Sequence, residues 1–293
     1  MYKRRVSVVI TDLDNTLFDW VHIWYESFSA MLDRLVEDSK VSRDRLIREI
    51  KTVHEKHGTS EYAFLIEELP SLQEIHPGGN LVEIYDEAIH AYRIARKKHL
   101  RLYPSVMETL KTLKDNGCLI IAYTESLAFY TNYRIRNLSL DGILDYLYSP
   151  ADHELPANLT REQLRRYPPE HYDLRHTRHR STPAGELKPN SEILLSIIRD
   201  IGAQAEQCIY VGDSLMKDVE MAKQAGVTDV YALYGDARRR EEYELLREVT
   251  HWTSERVQKE KNVSAKDIAP TYTLFSSLSG ILDLFCFEAF TPS

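Results

Sequence analysis

The chain has 293 residues, which suffices for one large α/β domain and a smaller second domain. Its hydrophobic content of 43% and charged content of 28% are near the averages of globular proteins, so we expect the chain to fold throughout. The formal net charge of -8 argues against nucleic acid as a partner, because such binding needs many Lys and Arg contacts to phosphates, and it favours a small partner instead.

The first predicted element is a buried strand from Val6 to Thr11, because this run is apolar and β-branched and is followed by the polar segment Asp12–Thr16. In open parallel sheets, ligands bind at this end of a strand. Basic residues precede the run, but it is too short for the core of a signal peptide. No stretch approaches the roughly 20 apolar residues of a membrane-spanning helix, so we expect a cytoplasmic protein without a membrane partner.

Residues 18–100 lack strand patterns and are predicted to form an inserted helical module. Apolar residues from Phe28 to Val36 keep helical spacing. Asn80 and Glu83 resemble a capping box, which predicts a helix that continues to about residue 98.

Three later runs repeat the pattern of an apolar strand followed by polar residues: Leu119–Tyr123, Cys208–Val211 and Val227–Leu233. Helical patterns separate these strands: Val106–Lys114, Glu192–Ile201 and Leu215–Ala225. The alternation predicts an α/β fold with a doubly wound, Rossmann-like parallel sheet. The polar strand ends should therefore meet along one edge of the sheet.

Two segments depart from this alternation. Residues 150–187 are predicted to form an irregular insertion on the surface, with a substrate-facing flap as the alternative. The C-terminal part from Ser254 to Phe290 is predicted to contain a helix, a short strand near residues 271–275 and a closing helix.

The cysteines lie far apart in apolar contexts and are predicted to be buried free thiols: Cys118, Cys208 and Cys286.

Carboxylates cluster at the predicted strand ends. Asp12 and Asp14 are costly side by side unless a cation or a shared proton relieves their repulsion. Asp213 and Asp218 add two more carboxylates, and a site with only oxygen ligands favours Mg²⁺ over zinc or copper. Lys188 stands at the start of a helix, where its ammonium group would balance the acids.

In this order along the chain, the residues resemble the four signatures of the haloacid dehalogenase-like hydrolases: Asp12-Leu13-Asp14-Asn15-Thr16, Thr124 after a strand, Lys188 before Pro189, and Gly212-Asp213-Ser214 with Asp218. Taken singly, several of these residues are also compatible with turns, helix caps or a solvated lysine. The resemblance implies an α/β core of residues 1–17 and 101–293 and an α-helical cap domain of residues 18–100, with Leu102-Tyr103-Pro104 typical of members that carry such a cap.

The resemblance also implies a role for each residue. Asp12 would attack phosphorus and form an aspartyl phosphate, and Asp14 would act as general acid and then as general base. The phosphoryl oxygens would be bound by Thr124, by the backbone N–H of Glu125 and by Lys188.

The implied cofactor is Mg²⁺, held by Asp12, the backbone carbonyl of Asp14, and Asp213. Asp218 would be either an additional ligand or an outer partner that positions a water or Lys188. The implied partner is a small phosphorylated metabolite. The sequence indicates neither the particular ester nor the oligomeric state.

Asp14 separates the reaction types within the family. A dehalogenase-like or phosphonatase-like site would lack this carboxylate, so we expect a phosphatase of small phosphate monoesters that is similar to phosphoglycolate phosphatases. A sugar phosphate mutase on the same scaffold is the nearest alternative. A receiver-type phospho-accepting module and a non-catalytic binding protein are further alternatives, although Asp12 on the first strand disfavours the former and the intact acids disfavour the latter.

Overall fold

A computed structural model describes residues 3–152, 155, 160, 168–263 and 267–292. The chain divides into two compact units. We call the first the α/β unit (residues 1–19, 101–236 and 263–293) and the second the helical unit (Trp20–Leu100 and Ala237–Asn262). Within the described part of the chain, no helix combines the length and apolar character needed to cross a membrane.

The strands are, in chain order, β1 (Arg4–Val6), β2 (Val8–Thr11), β3 (Leu119–Tyr123), β4 (Tyr146–Pro150), β5 (Arg178–Thr182), β6 (Cys208–Gly212), β7 (Thr228–Ala232), β8 (Tyr272–Leu274) and β9 (Phe285–Phe287). The α-helices are α1 (Trp20–Ser39), α2 (Arg43–His57), α3 (Pro70–Ile75), α4 (Leu81–Ile84), α5 (Asp86–His99), α6 (Val106–Asp115), α7 (Ala128–Asn137), α8 (Ser191–Asp200), α9 (Glu220–Gln224), α10 (Glu241–Val249), α11 (Ser254–Asn262) and α12 (Ile281–Leu284). A π-helical turn, Leu215–Val219, leads into α9.

The main sheet is parallel throughout and has the order β5-β4-β3-β2-β6-β7-β8. This arrangement confirms the predicted doubly wound α/β fold. Strand β2 is central, and the chain builds outward from it to β3 on one side and to β6 on the other. A crevice forms at such a reversal because the two connecting chains leave the sheet on opposite faces. The fold therefore places the end of β2 where a ligand site is expected.

Hydrophobic side chains hold the central strands in place. Every residue of β2 is buried, as is every residue of β6 and β7. Helix α8 packs an apolar stripe against the same core because its buried residues recur at helical spacing: Ile193, Leu194, Ile197 and Ile198. This burial on both faces explains why the strands are apolar along their whole length.

The predicted first strand is divided into two. Strand β1 pairs in parallel with β9, and β2 alone enters the main sheet. Between them, the Ser7 N–H donates to the carbonyl of Gln207 at 3.1 Å.

The prediction of a closing helix through Phe290 was wrong beyond residue 284, because the alternating Phe285-Cys286-Phe287 segment pairs with β1 as a strand. Cys286 is exposed on this strand, which corrects its predicted burial, while Cys118 and Cys208 are buried.

Part of the predicted irregular insertion belongs to the sheet. Strand β5 pairs with β4 along Tyr146–Pro150 and forms one edge. Its sequence, Arg-His-Arg-Ser-Thr, has no apolar pattern because an edge strand needs less burial than a central one. His179 on β5 contacts Ser149 on β4, with Nε2 2.8 Å from Oγ. Residues 153, 154, 156–159 and 161–167 of the predicted insertion lie outside the described residues.

The helical unit also differs from the expectation in detail. The helix predicted from Asn80 is divided at Tyr85 into α4 and α5, and the Asn80 side chain makes no capping hydrogen bond to α4. Tyr85 is buried and leaves the helical conformation, so its packing outweighs the local capping pattern. The helical unit includes residues 237–262, which the sequence had assigned to the core domain.

Helix α10 accounts for this difference. Its apolar face is buried and includes Leu245, Leu246 and Val249. The carbonyl of Val249 accepts a hydrogen bond from Nδ1 of His54 on α2 at 2.7 Å. A helix far along the chain thus contributes to the core of a unit that also contains the helices between residues 20 and 100.

Candidate active site

The carboxyl ends of three adjacent strands carry the predicted site residues. Asp12 follows β2, and its N–H donates to the carbonyl of Val211 at 2.8 Å. Thr124 follows β3, and its N–H donates to the carbonyl of Tyr148 at 3.0 Å. Asp213 follows β6. Because β2 pairs with both β3 and β6, these three positions lie at the same sheet edge.

Lys188 is buried between two carboxylates. Its Nζ lies 2.5 Å from Oδ1 of Asp12 and 3.0 Å from Oδ1 of Asp218. The rings of Tyr123 and Tyr210 flank the ammonium group, with centroids at 4.8 Å and 5.4 Å. Burial alone would lower the pKa of Lys188, but the two aspartates hold it well above its ordinary value. Lys188 therefore stays charged in a place that water scarcely reaches.

Three aspartates converge beside this lysine. Asp12, Asp213 and Asp218 each offer a carboxylate oxygen, and these oxygens all lie within 4.8 Å of one another. Burial, with added repulsion from Asp218 and Asp14, raises the pKa of Asp12 to about 7 despite the opposing effect of Lys188. Burial and the charges of Asp218 and Asp12 likewise raise the pKa of Asp213 well above its ordinary value.

This charge balance fits a divalent cation. Three neighbouring carboxylates exceed the charge that one lysine neutralises, and burial, together with the repulsion among the carboxylates, raises the pKa of Asp12 and of Asp213. Hard cations bind carboxylate oxygens, whereas soft metals prefer sulfur and nitrogen ligands. The donor set of the three aspartates is therefore suited to a hard divalent metal.

Asp218 is positioned by its neighbours on β6 and the following turn. Its Oδ1 accepts from the hydroxyl of Tyr210 at 3.0 Å, and its Oδ2 accepts from the N–H of Ser214 at 3.1 Å. A Cβ on Gly212 would lie 2.3 Å from Cγ of Asp218, so only glycine allows this approach. The glycine of the Gly212-Asp213-Ser214 signature thus serves the placement of a carboxylate six residues later.

The side chain of Asp14 belongs to a different network from the three aspartates. Its Oδ2 accepts from the hydroxyl of Ser126 at 2.5 Å and lies 3.5 Å from Oγ1 of Thr124. Its Oδ1 lies 3.3 Å from Nη1 of Arg134. Sequence reasoning did not find Ser126 or Arg134. The position of Ser126, two residues after Thr124, is the one local signal for it, whereas Arg134 stands in an ordinary helical pattern on α7.

The Glu125 side chain joins three loops. Its carboxylate accepts from the backbone N–H of Lys188 at 2.9 Å and from Nζ of Lys217. An ionised carboxylate has no hydrogen to donate and would repel a phosphate, so its backbone N–H is the part suited to the predicted phosphate-binding role. The side chain instead connects the Thr124 and Lys188 loops to the turn that carries Asp218. Lys217 was not identified from the sequence.

Comparisons with known proteins identify relatives of this chain and a solved structure with the same fold. Two relatives are named glyceraldehyde 3-phosphate phosphatase: one from Methanopyrus kandleri, 24% identical over 77% of this chain and 83% of the relative, and one from Pyrococcus furiosus, 22% identical over 79% and 82%. The solved structure of a 2-haloacid dehalogenase from Pseudomonas syringae pv. Tomato DC3000 shares the fold, with a TM-score of 0.57 and 17% identity over 95% of this chain and 97% of that chain. A family model described as haloacid dehalogenase-like hydrolase matches residues 6–226. Because this match spans most of the sequence, the chain belongs to the haloacid dehalogenase-like hydrolase family.

Proposed function

We propose that this protein is a phosphatase that hydrolyses a small phosphate monoester through a phosphorylated Asp12. The observation that carries the proposal is the buried contact between Asp12 and Lys188 at the end of the central strand. A carboxylate that attacks phosphorus needs a nearby cation, because both the nucleophile and the phosphoryl group are anionic. Both groups occur here, at positions that resemble two signatures of the family to which the chain belongs.

The reaction proceeds in two displacements. An Asp12 oxygen bonds to phosphorus while the ester P–O bond breaks, and the Asp14 carboxyl group gives its proton to the leaving oxygen. A water molecule then attacks the phosphorus of the aspartyl phosphate and gives a proton to Asp14. The bond between phosphorus and Asp12 breaks, so that inorganic phosphate leaves and both carboxyl groups return to their starting states.

Other residues hold the phosphoryl group. The Thr124 hydroxyl and the Glu125 backbone N–H donate hydrogen bonds to the non-bridging oxygens, and Lys188 stabilises the charge that they carry. Burial strengthens this electrostatic contribution, since a site with little water screens charge weakly. The side chain of Glu125 holds the backbone at Lys188 in place.

We propose Mg²⁺ as the divalent metal, held by Asp12, Asp213 and the backbone carbonyl of Asp14. When bound, Mg²⁺ would neutralise part of the negative charge shared by the carboxylates and the phosphoryl group. Asp218 is better placed as an outer partner, since one of its oxygens accepts from both Lys188 and Tyr210 and the other from the backbone of Ser214.

We infer the substrate class from the relatives. Both relatives named above are glyceraldehyde 3-phosphate phosphatases, so a phosphorylated metabolite of about that size is the first candidate. We also propose that the helical unit is the cap domain that selects the ester, as the resemblance to capped family members implies. Phosphoglycolate and sugar phosphates are the natural comparisons.

The proposal is tested by phosphate release from a panel of such monoesters, with Mg²⁺ and with EDTA, for the native chain and for Asp12→Asn. Release should require Mg²⁺ and should disappear in Asp12→Asn, while Asp115→Asn on the exposed part of α6 should behave as the native chain. Mass spectrometry after acid quenching should find the phosphoryl group on Asp12. Undiminished release by a folded Asp12→Asn protein would refute the proposal, and conversion between sugar phosphates without release would identify a mutase.

A further inference from the structure

Both oxygens of the Asp14 carboxyl group are held by one polar network. Oδ2 accepts from the Ser126 hydroxyl at 2.5 Å, and Oδ1 lies 3.3 Å from Nη1 of Arg134. The same Nη1 donates to Oγ of Ser126 at 3.2 Å. We propose that Arg134, acting with Ser126, is a positioning residue that orients Asp14 for proton transfer to the leaving group; this inference rests on the proposed function.

The hydrogen bonds of Ser126 show how the orientation is imposed. A serine hydroxyl has one hydrogen, and here Asp14 receives it. Arg134 donates to the oxygen of the same hydroxyl, which leaves the hydrogen directed at the carboxyl group. Because both oxygens are held, the carboxyl group can neither swing away nor rotate about its last bond without losing a hydrogen bond to Ser126 or Arg134.

The site of Arg134 is built for a charged partner. Arg134 is 3% exposed on α7, with its guanidinium carbon 6.0 Å from the ring centroid of Phe18 and 5.8 Å from that of Tyr130. A buried guanidinium is costly unless anions and aromatic faces replace water around it. Phe18 follows the Asp12 signature closely, so the cation is enclosed by the segment whose carboxylate it contacts.

Helix α7 and the Thr124 loop are also tied together. The hydroxyl of Thr131, one turn before Arg134, contacts the carbonyl oxygens of Ser126 at 2.9 Å and Leu127 at 3.0 Å. Ser126 in turn donates its N–H to Oγ1 of Thr124 at 3.1 Å. Helix α7, which carries Arg134, and the loop that carries Ser126 are therefore held together. A fixed arrangement of these two residues is needed if they are to place Asp14 accurately for proton transfer.

This role has a consequence that depends on the leaving group. Protonation of the leaving oxygen is essential when an alkoxide departs, and it contributes little when 2,4-dinitrophenolate departs, because that anion is stable without a proton. Misplacement of a reacting group by about 1 Å costs roughly 100-fold in rate. Loss of Arg134 should therefore slow the cleavage of alkyl phosphates and spare the cleavage of 2,4-dinitrophenyl phosphate.

The experiment measures kcat/KM for the best alkyl ester of the panel and for 2,4-dinitrophenyl phosphate. We compare the native chain with Arg134→Gln, Ser126→Ala and, as a matched control on the same helix, Arg136→Gln. Arg134→Gln should lose roughly 30- to 100-fold on the alkyl ester and less than about threefold on the dinitrophenyl ester. Ser126→Ala should show the same selectivity at roughly tenfold, Arg134→Lys should recover part of the loss, and Arg136→Gln should change neither value.

Several outcomes would overturn the inference. Equal losses on both esters would mean that Arg134 supports the fold or binds phosphate directly, and a raised KM on both would identify phosphate binding. If Arg134→Gln fails to fold, Ser126→Ala decides by the same comparison. A further loss on the alkyl ester in an Asp14→Asn background would show that Arg134 does not act through Asp14. A native chain that cleaves neither ester refutes the proposed function and this inference with it, whereas an active native chain with equal losses refutes this inference alone.

Discussion

Nζ of Lys188 lies 2.5 Å from Oδ1 of Asp12, although 176 residues separate them in the chain. The contact is buried, and Asp218 holds the other side of the ammonium group at 3.0 Å. The positive charge of Lys188 thus offsets the negative charges of two carboxylates, that of the proposed nucleophile Asp12 and that of Asp218. The stability and the chemistry of the site should therefore respond together when this balance is disturbed.

Replacement of Lys188 by Met should abolish most of the activity. The variant keeps the volume of the side chain but removes the charge that stabilises the phosphoryl group, so kcat should fall by roughly 100- to 1,000-fold. Steady-state phosphate release measures this effect, and Lys111→Met on the exposed face of α6 is the control. Activity within threefold of the native value would place the catalytic charge elsewhere.

Mg²⁺ should stabilise the native chain against unfolding. The metal would relieve the repulsion among Asp12, Asp213 and Asp218, and a ligand at 100 times its dissociation constant adds about 2.7 kcal/mol to the free energy of unfolding. Urea unfolding with Mg²⁺ and with EDTA measures this difference. Asp213→Asn should remove most of it, whereas Asp115→Asn should retain it. Equal stabilisation of Asp213→Asn by Mg²⁺ would contradict the proposed ligand set.

Gly212→Ala should damage both stability and activity. The added Cβ would lie 2.3 Å from Cγ of Asp218, and relief of that clash requires a shift of the carboxylate that holds Lys188. We expect a loss of about 1–3 kcal/mol in the free energy of unfolding, together with a reduced kcat. Gly280→Ala is the control, since its Cβ would meet a flexible Leu274 methyl group at 3.0 Å. A Gly212→Ala protein of native stability and activity would show that the turn adapts freely.

His54 should make stability depend on pH. Burial, partly opposed by its hydrogen bond to the Val249 carbonyl, lowers the pKa of His54 from 6.5 to about 4. As the pH falls, His54 therefore takes up a proton near pH 6.5 in the unfolded chain but only near pH 4 in the folded chain. The stabilising contribution is complete above pH 6.5 and is lost as the pH falls through this window, by about 3 kcal/mol in total.

Denaturant unfolding of the native chain and of His54→Gln at pH 7, 6, 5 and 4 measures this contribution. The variant should lose less stability than the native chain between pH 7 and pH 4, even if it is less stable at pH 7. His90→Gln, at an exposed position on α5, should keep the native slope. Parallel curves for the native chain and His54→Gln would exclude His54 as the source.

The sequence predicted the central strands well and the periphery less well. Strand β3 was predicted with its observed bounds, and the predicted ends of β6 and β7 differ from the observed ends by at most one residue, because fully buried strands leave continuous apolar runs. Strand β5 at the sheet edge and β9 beside β1 left no such pattern. Each of these strands pairs with a strand that is distant in the chain, and a local sequence pattern holds no information about such a partner.

For the candidate site, too, part could be predicted from the sequence and part could not. The sequence alone identified the candidate site residues, from carboxylates near strand ends, a lysine at the start of a helix and the resemblance to the family signatures: Asp12, Asp14, Thr124, Lys188, Asp213 and Asp218. Only the tertiary structure decided that Asp14 turns toward Ser126 and Arg134, and that Glu125 holds Lys188 and Lys217 with its carboxylate. The physical reason is that a motif specifies backbone position and side-chain type, whereas the direction of a buried polar side chain depends on which donors and charges other segments bring to it.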